Sequence, residues 1–287
     1  MLPGSLALIM FSMGLALTPD DFRQILRHPK EVGVGLVAQM VFLPVLAFLL
    51  AWLAPLSPAM KVGIILVAIC PGGATSNLIN YLLNGNLALC VSLTSLNAFL
   101  TQFTIPLLLN LAIFSFLGGE AQVNLPFWDA VLEIFLVTLL PVALGVWFQG
   151  QWRFFAQKLR KPLKYLMPVL LGVAMIGAAF FEKKNVPAVR FMDYLPVIPW
   201  LLALNVGAMV GSYKFTGWIG FKAKTAMTIA VEVGLQNTGM AIMLATGSAL
   251  RDAPEIAVPA AIYALFSFFT TGAWAWYVAR KNQLVKG

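Results

Sequence analysis

One acidic residue lies deep inside a strongly apolar run and suggests cation chemistry. Glu232 opens the stretch Glu232-Val233-Gly234-Leu235-Gln236-Asn237-Thr238-Gly239. A carboxylate at the centre of a bilayer is costly, so it normally faces an interior cavity and a partner. Because no Lys or Arg lies near the middle of an apolar run to pair with it, a bound cation is the first candidate. Gln236 and Asn237 add hard oxygen ligands, which suit sodium. A proton on Glu232, or a neutral glutamic acid bonded between helices, is the alternative.

A second apolar run is interrupted at its centre by Cys70-Pro71-Gly72-Gly73-Ala74-Thr75-Ser76-Asn77. Proline removes a backbone donor and clashes with the preceding turn, and two glycines lower helix propensity further. Backbone groups freed inside a membrane must find partners within the protein. A kinked helix that satisfies its own backbone would explain the Pro-Gly pair alone. The polar residues that follow at once favour a binding site.

The composition identifies the elements that must hold these residues. Of 287 residues, 60% are hydrophobic and only 10% are charged, whereas soluble domains carry about 25% charged residues. A membrane-spanning helix needs about 20 apolar residues. We therefore predict an all-α polytopic membrane protein that forms a single domain with nine transmembrane helices. The predicted spans are about 2–17, 32–53, 59–83, 87–117, 127–148, 165–181, 194–213, 223–250 and 256–278.

The basic residues indicate the orientation of these spans. With nine spans, fourteen of the 19 Lys and Arg residues fall in loops on one side. Cytoplasmic loops carry an excess of basic residues. The N-terminus is thus predicted outside and the C-terminus in the cytoplasm, in the cell (inner) membrane. The net charge of +8 follows from these loops, so no nucleic-acid partner is expected.

Other polar residues inside spans add weaker support. Gln39 lies in the second span, and Asn205 in the seventh. Cys90, Thr94, Asn97 and Thr101 share one helix face in the fourth span. A lone polar residue in a membrane helix is more often an interhelical hydrogen bond than a ligand.

The two interruptions occupy roughly corresponding positions in the two halves of the chain. Paired broken helices are typical of inverted-repeat secondary transporters, whose sites lie near the midplane. Half-helix N-termini favour an anion, while freed carbonyls and Glu232 favour a cation. The pattern predicts cation-coupled uptake of an organic anion, with no catalytic residues and no cofactor beyond the coupling ion.

The residues also resemble a known family. The two interrupted stretches are similar to the crossover motifs of the bile acid:sodium symporter family, and Met10-Phe11-Ser12-Met13-Gly14-Leu15, His28-Pro29-Lys30 and Asn84-Gly85-Asn86 resemble its other motifs. The resemblance extends from about residue 6 to residue 279, and it is to a nine-helix, bacterial-type member. It implies a panel domain, about 1–30 and 127–185, beside a core domain, about 31–117 and 194–279. The two broken helices would cross in the core.

The resemblance further implies two sodium sites. The first would use Ser76, Asn77, Thr94 and Glu232, and the second Gln39, Glu232, Gln236 and the backbone oxygens of Val233 and Leu235. Cys90 stands where a bacterial relative has serine. Since a thiol is a poor ligand for a hard cation, we expect a weakened first site.

The substrate implied by the resemblance is an organic carboxylate, such as a bile acid, a pantoate-type acid or a keto acid. It would lie near Thr75, Asn205, Asn237 and Thr271. Proton coupling through Glu232 remains an alternative. A membrane-embedded transferase is disfavoured because His28, the only histidine, lies in a loop and no paired acidic motif falls within a span.

Overall fold

The computed structural model describes residues 7–8, 11, 14–15, 29–118, 132, 135–136, 140–152, 154–156, 158–159, 191–246, 250 and 253–283. The predicted sixth span lies outside the described residues, the first lies largely outside them, and the fifth lies partly outside them. The count of nine spans therefore stays a prediction.

Every regular element in the described part of the chain is helical. The α-helices are α1 (Pro29–Val37), α2 (Leu43–Leu53), α3 (Pro58–Ile69), α4 (Ala74–Leu82), α5 (Leu87–Leu117), α6 (Leu140–Gln151), α7 (Ile198–Trp218), α8 (Ala223–Gly234), α9 (Thr238–Ala245) and α10 (Val258–Lys281). A π-helical turn (Ala38–Phe42) joins α1 to α2, and 3-10 turns (Phe191–Val197 and Pro254–Ala257) lead into α7 and α10. The all-helical prediction is confirmed for these residues.

The chain divides into two compact units. One comprises Met1–Pro19 and Pro126–Leu195, and the other comprises Asp20–Leu125 and Pro196–Gly287. In the smaller unit, Leu15 and Ala156 are buried and pack with Phe11 and Phe148. In the larger unit, Ile79 of α4, Met227 and Val231 of α8, and Ala275 of α10 belong to one buried apolar cluster.

Several described helices have the length and composition of membrane spans. Pro29–Leu53, Tyr194–Trp218 and Pro254–Lys281 each qualify, and Leu87–Leu117 adds a fourth span if its bent halves count as one. Large apolar side chains lie on their outer surfaces, including Trp52 and Phe269, each 72% exposed. Polar residues are buried instead, among them Glu232 at 1%. This arrangement suits a lipid bilayer, in which exposed apolar side chains cost no free energy of hydration.

Two prolines shape the helices around the polar centre. Pro44 supplies no N–H, and its ring excludes the usual bond to the carbonyl four residues earlier, at Met40. The chain forms a π turn there, in which Leu43 N donates to Ala38 O. Pro106 acts likewise on residue 102, and α5, which we predicted as one continuous helix, bends by 60° between Thr101 and Phe103.

Candidate functional site

The two interruptions predicted from the sequence are both present, and they lie against each other. The first separates α3, which ends at Ile69, from α4, which begins at Ala74. The second separates α8 from α9 at residues 235–237. Gly72 and Gln236 form an antiparallel β-bridge, and Asn237 N donates to Pro71 O at 2.8 Å. Each break thus supplies hydrogen-bond partners to the other, as membrane-embedded backbone requires.

Glu232 lies at this meeting point and is held by three side chains. Ser76 Oγ lies 2.5 Å from Glu232 Oε2, and Thr94 Oγ1 lies 2.7 Å from Glu232 Oε1. Cys90 Sγ lies 3.2 Å from Oε2. Gly72 packs so closely that a Cβ on it would collide with Glu232 Oε1. The predicted partners Ser76, Thr94 and Glu232 are therefore brought together in one buried cluster.

Cys90 belongs to this cluster as the sequence suggested. Its sulfur also lies 3.8 Å from Ser76 Oγ and accepts a hydrogen bond from Asn80 Nδ2 at 3.1 Å. Asn80 is fully buried and also donates to Ser76 O at 3.1 Å. Asn80 was not predicted from the sequence, although it follows Ser76 by one helical turn and therefore shares its face.

Gln39 and Gln236 form the second part of the site. Gln39 Nε2 donates to Gln236 Oε1 at 2.8 Å and to Cys70 O at 3.3 Å. Gln236 Nε2 donates to Val233 O at 2.6 Å. The contact joins the π turn to both breaks. Leu235 lies inside the second break with its side chain buried in the apolar cluster, so only its backbone is available to a ligand.

Two side-chain oxygens among the predicted sodium ligands indicate whether these residues suit a cation. Gln39 Oε1 and Asn77 Oδ1 are buried, and neither has a hydrogen-bond partner among the described residues. A buried acceptor without a donor is costly to the protein. Neutral amide oxygens beside a carboxylate are typical ligands of hard cations. The donor set therefore fits sodium.

Thr75 and Asn237 lie at the accessible side of the breaks. Thr75 is exposed and Asn237 half-buried. A Cβ placed on Gly73 would lie 3.6 Å from Thr75 Oγ1 and 4.0 Å from Asn237 Cα, so these two predicted substrate residues are neighbours. They flank the N-termini of α4 and α9, and Asn237 Oδ1 caps α9 by accepting from Met240 N at 3.0 Å.

Asn205 and Thr271, the other two predicted substrate residues, are fully buried and lie in a separate network. Asn205 Nδ2 donates to Gly234 O at 2.8 Å and to Tyr263 Oη at 3.0 Å, and it also lies 3.3 Å from Thr271 Oγ1. Thr270 Oγ1 donates to Asn205 Oδ1 at 2.7 Å, and Tyr263 Oη donates to Gly234 O at 2.7 Å. The network holds the last carbonyl of α8.

Tyr263 and Thr270 were missed from the sequence. Both lie in α10, and Thr270 adjoins Thr271, which the resemblance had drawn attention to. A tyrosine in a membrane helix commonly marks an interface, so its burial against the carbonyl of a broken helix carries no distinctive sequence signal.

Known proteins that resemble this chain identify its family. Residues 3–188 match the Sodium Bile acid symporter family. The chain is 30% identical over 279 residues to "Uncharacterized sodium-dependent transporter YocS" of Bacillus subtilis, covering 96% of this chain and 82% of that protein. It is 29% identical over 276 residues to "Probable sodium/metabolite cotransporter BASS1, chloroplastic" of Arabidopsis thaliana, covering 94% and 65%. It is 24% identical over 234 residues to "Ileal sodium/bile acid cotransporter" of Homo sapiens, covering 81% and 65%.

The fold and the site define an all-helical, multi-pass membrane protein with a polar centre built from two broken helices. The chain belongs to the sodium bile acid symporter family. The members of this family are sodium-dependent transporters, and this chain is therefore a transporter and not an enzyme. The resemblance drawn from the two interrupted stretches is confirmed.

Proposed function

We propose that this protein is a sodium-coupled symporter that imports an organic anion by alternating access. The observation that carries the proposal is the buried Glu232 carboxylate at the contact between two broken helices. A membrane protein keeps an ionisable group at such a position when ions or substrates pass by it.

Two sodium ions would occupy neighbouring positions around Glu232. The first is bounded by Ser76, Asn77 and Thr94, and the second by Gln39, Gln236 and the backbone oxygens of Val233 and Leu235. Asn77 Oδ1 and Gln39 Oε1, which have no partner among the described residues, supply one neutral oxygen to each. Glu232 belongs to both positions, so one carboxylate would offset part of the charge of two ions.

The organic anion would supply the remaining negative charge. The N-termini of α4 and α9 carry free N–H groups and positive partial charge, which favour a carboxylate. Thr75 is exposed beside them and Asn237 is half-buried, which supports our proposal that these two residues contact the substrate. Asn205 and Thr271 would not contact the substrate directly. They would act indirectly, by holding Gly234 O in position. Bile acids, pantoate-type acids and keto acids are the substrate classes we propose.

Coupling follows if sodium stabilises the conformation in which the two breaks face each other. A ligand shifts a conformational equilibrium by its differential affinity for the two states. Sodium bound to Gln39 and Glu232 would fix the half-helix N-termini in the geometry that accepts the anion, which gives positive coupling between the two ligands. We propose that a panel domain, about 1–30 and 127–185, moves against a core domain, about 31–117 and 194–279. The N-terminus would lie outside and the C-terminus in the cytoplasm, in a cell (inner) membrane.

Two measurements on the purified protein test this function. Sodium, but not choline, should raise the melting temperature, because a bound ligand stabilises the folded state. In proteoliposomes, an inward sodium gradient should drive uptake of at least one of cholate, pantoate and pyruvate. Glu232→Gln, which keeps the shape of the side chain and removes its charge, should abolish both responses while the protein still inserts.

Glu255→Gln is the matched control, because Glu255 lies on an exposed 3-10 turn and bonds to Ser57. It should retain both sodium responses. Sodium-stimulated uptake at the wild-type rate by Glu232→Gln would remove the proposal.

One observation favours proton coupling as a second candidate. The hydroxyls of Ser76 and Thr94 each carry one hydrogen, but each faces two acceptors. Ser76 Oγ lies 2.7 Å from Gly73 O as well as near Glu232, and Thr94 Oγ1 lies 2.9 Å from Cys90 O as well as near Glu232. A proton on Glu232 would let the carboxyl donate to one of them. Uptake driven by a pH gradient without sodium would select this alternative.

A further inference from the structure

Asn97 is a fully buried amide that the proposed sodium and substrate sites do not use. Its side chain is 0% exposed. Neither its Oδ1 nor its Nδ2 has a hydrogen-bond partner among the described residues. Burying a donor and an acceptor that both lack partners destabilises the folded protein. The residue therefore needs a ligand that both donates and accepts hydrogen bonds.

The helix register places Asn97 between Glu232 and a small cavity. Thr94, three residues earlier, contacts Glu232 Oε1 at 2.7 Å. Thr101, four residues later, lines a cavity of about 10 Å³ together with Gln39. Residues three and four apart share one face of a helix, so Asn97 lies on the line from the carboxylate to the cavity.

The cavity lies between the helix of Gln39 and α5. Gly35 of α1 packs directly on the Leu93 side chain, whereas farther along the two helices the cavity lies between Pro44 and Leu108. The π turn and the bend in α5 both occur at this level. Gln39, whose Oε1 has no partner among the described residues, lines the same cavity as Thr101, and Met40, Ile69 and Leu108 form much of the remaining wall.

Water fits this space better than a bare cation does. A cation would satisfy Asn97 Oδ1 and leave Nδ2 without an acceptor, whereas water both donates and accepts. A cavity of roughly 10–15 Å³ holds one water molecule. Thr101 Oγ1 and Gln39 Oε1 supply further polar partners around it.

We propose that Asn97 is a positioning residue for the coupling cation: its amide and the cavity hold a water molecule that remains bound to the ion beside Gln39. This inference rests on the proposed sodium-coupled function. The water would add one ligand to the five protein oxygens proposed for the ion beside Gln39, and Asn97 would fix that water without touching the ion. Removing the amide should weaken sodium binding and leave the organic anion's own contacts in place.

The test measures the half-saturating sodium concentration for thermal stabilisation of the purified, full-length protein, with choline as the replacing cation. Asn97→Leu fills the space with an apolar side chain and should raise this concentration about tenfold, as loss of an outer-shell partner does at metal sites. Asn97→Ser retains a polar group with room for water and should recover part of the loss. Thr101→Val, which keeps the shape of the side chain, should raise the concentration about threefold.

Ser95→Ala is the control on the same helix. Ser95 lies two residues before Asn97, on another face of the helix, and its Oγ donates to Val91 O one turn earlier. It should leave the sodium response unchanged. The inference is overturned if Asn97→Leu and Thr101→Val both retain the wild-type half-saturating concentration, even if their melting temperatures without sodium fall. It is also overturned if Asn97→Ser binds sodium as weakly as Asn97→Leu does. A wild-type protein that sodium does not stabilise would instead refute the proposed function, and this inference with it.

Discussion

Ser76 Oγ and Glu232 Oε2 are 2.5 Å apart, and this contact joins the first turn of α4 to the last turn of α8. The two residues come from opposite halves of the chain, and both side chains are buried. Any ion that binds Glu232 therefore acts on both broken helices at once.

Gly72→Ala should abolish sodium-stimulated uptake. A Cβ at residue 72 would collide with Glu232 Oε1 and Cδ. The backbone of Gly72 cannot easily move away, because it is paired with Gln236 in the β-bridge. The carboxylate would have to leave its cluster. Sodium-dependent stabilisation and uptake measure the effect. Gly33→Ala is the control, because no atom lies within 4 Å of a Cβ at that position; it should behave as the wild type, and equal losses in both variants would contradict the argument.

Cys90→Ser should strengthen sodium binding. The sulfur lies 3.2 Å from Glu232 Oε2 and 3.8 Å from Ser76 Oγ, beside the first proposed ion position. A hydroxyl oxygen is a better ligand than a thiol for a hard cation. We expect the half-saturating sodium concentration to fall about fivefold, which corresponds to about 1 kcal/mol. Cys90→Ala offers no ligand atom and should show no such gain. An unchanged value in the serine variant would mean that residue 90 is not a ligand.

Pro44→Ala should weaken sodium binding at Gln39. An alanine at residue 44 has an N–H, which can donate to Met40 O as in an ordinary α-helix. The π turn that positions Gln39 should then be replaced by α-helix. Gln39 would rotate away from Gln236, which it now contacts at 2.8 Å. The half-saturating sodium concentration should rise several-fold. Pro58→Ala, at the exposed first position of α3, is the comparison, and its sodium response should stay at the wild-type value. A normal response from Pro44→Ala would show that the π turn has another origin.

Tyr263→Phe should lower the stability of the folded protein by about 1–2 kcal/mol, the usual cost of losing a buried hydrogen bond. The hydroxyl donates to Gly234 O at 2.7 Å and accepts from Asn205 Nδ2 at 3.0 Å. Because Asn205 still donates to Gly234 O, the break should persist. Denaturation in detergent measures the loss. Tyr277→Phe, at a side chain that is 59% exposed, should be neutral; a stability loss as large as that of Tyr263→Phe would argue against the buried network.

The positions of the broken helices were predictable because their cause is local. Pro71 removes a backbone donor, Gly72 and Gly73 disfavour a helix, and the break falls between Ile69 and Ala74. In the second break, Gly234 is the last helical residue before Leu235. The cluster of Ser76, Thr94 and Glu232 was likewise expected, through the resemblance to the family.

The remaining features depend on contacts between distant segments, which residue types alone do not determine. Nothing local to Gly72 indicates that it pairs with Gln236. Asn205 was expected at the substrate, but its amide is fully buried and engaged with α10. Two bends did have a local signal: Pro44 and Pro106 each lie four residues after the carbonyl that they displace, and both could have been predicted.

The pairing of the two breaks also bears on how the protein is made. Pro71 O finds its hydrogen-bond donor in Asn237, which the ribosome adds long after the first break has been synthesised. Until that later segment is inserted, the early break lacks this native partner within the lipid. Its final geometry is therefore completed late in biogenesis, and a nascent chain truncated ahead of α9 would not have this hydrogen bond.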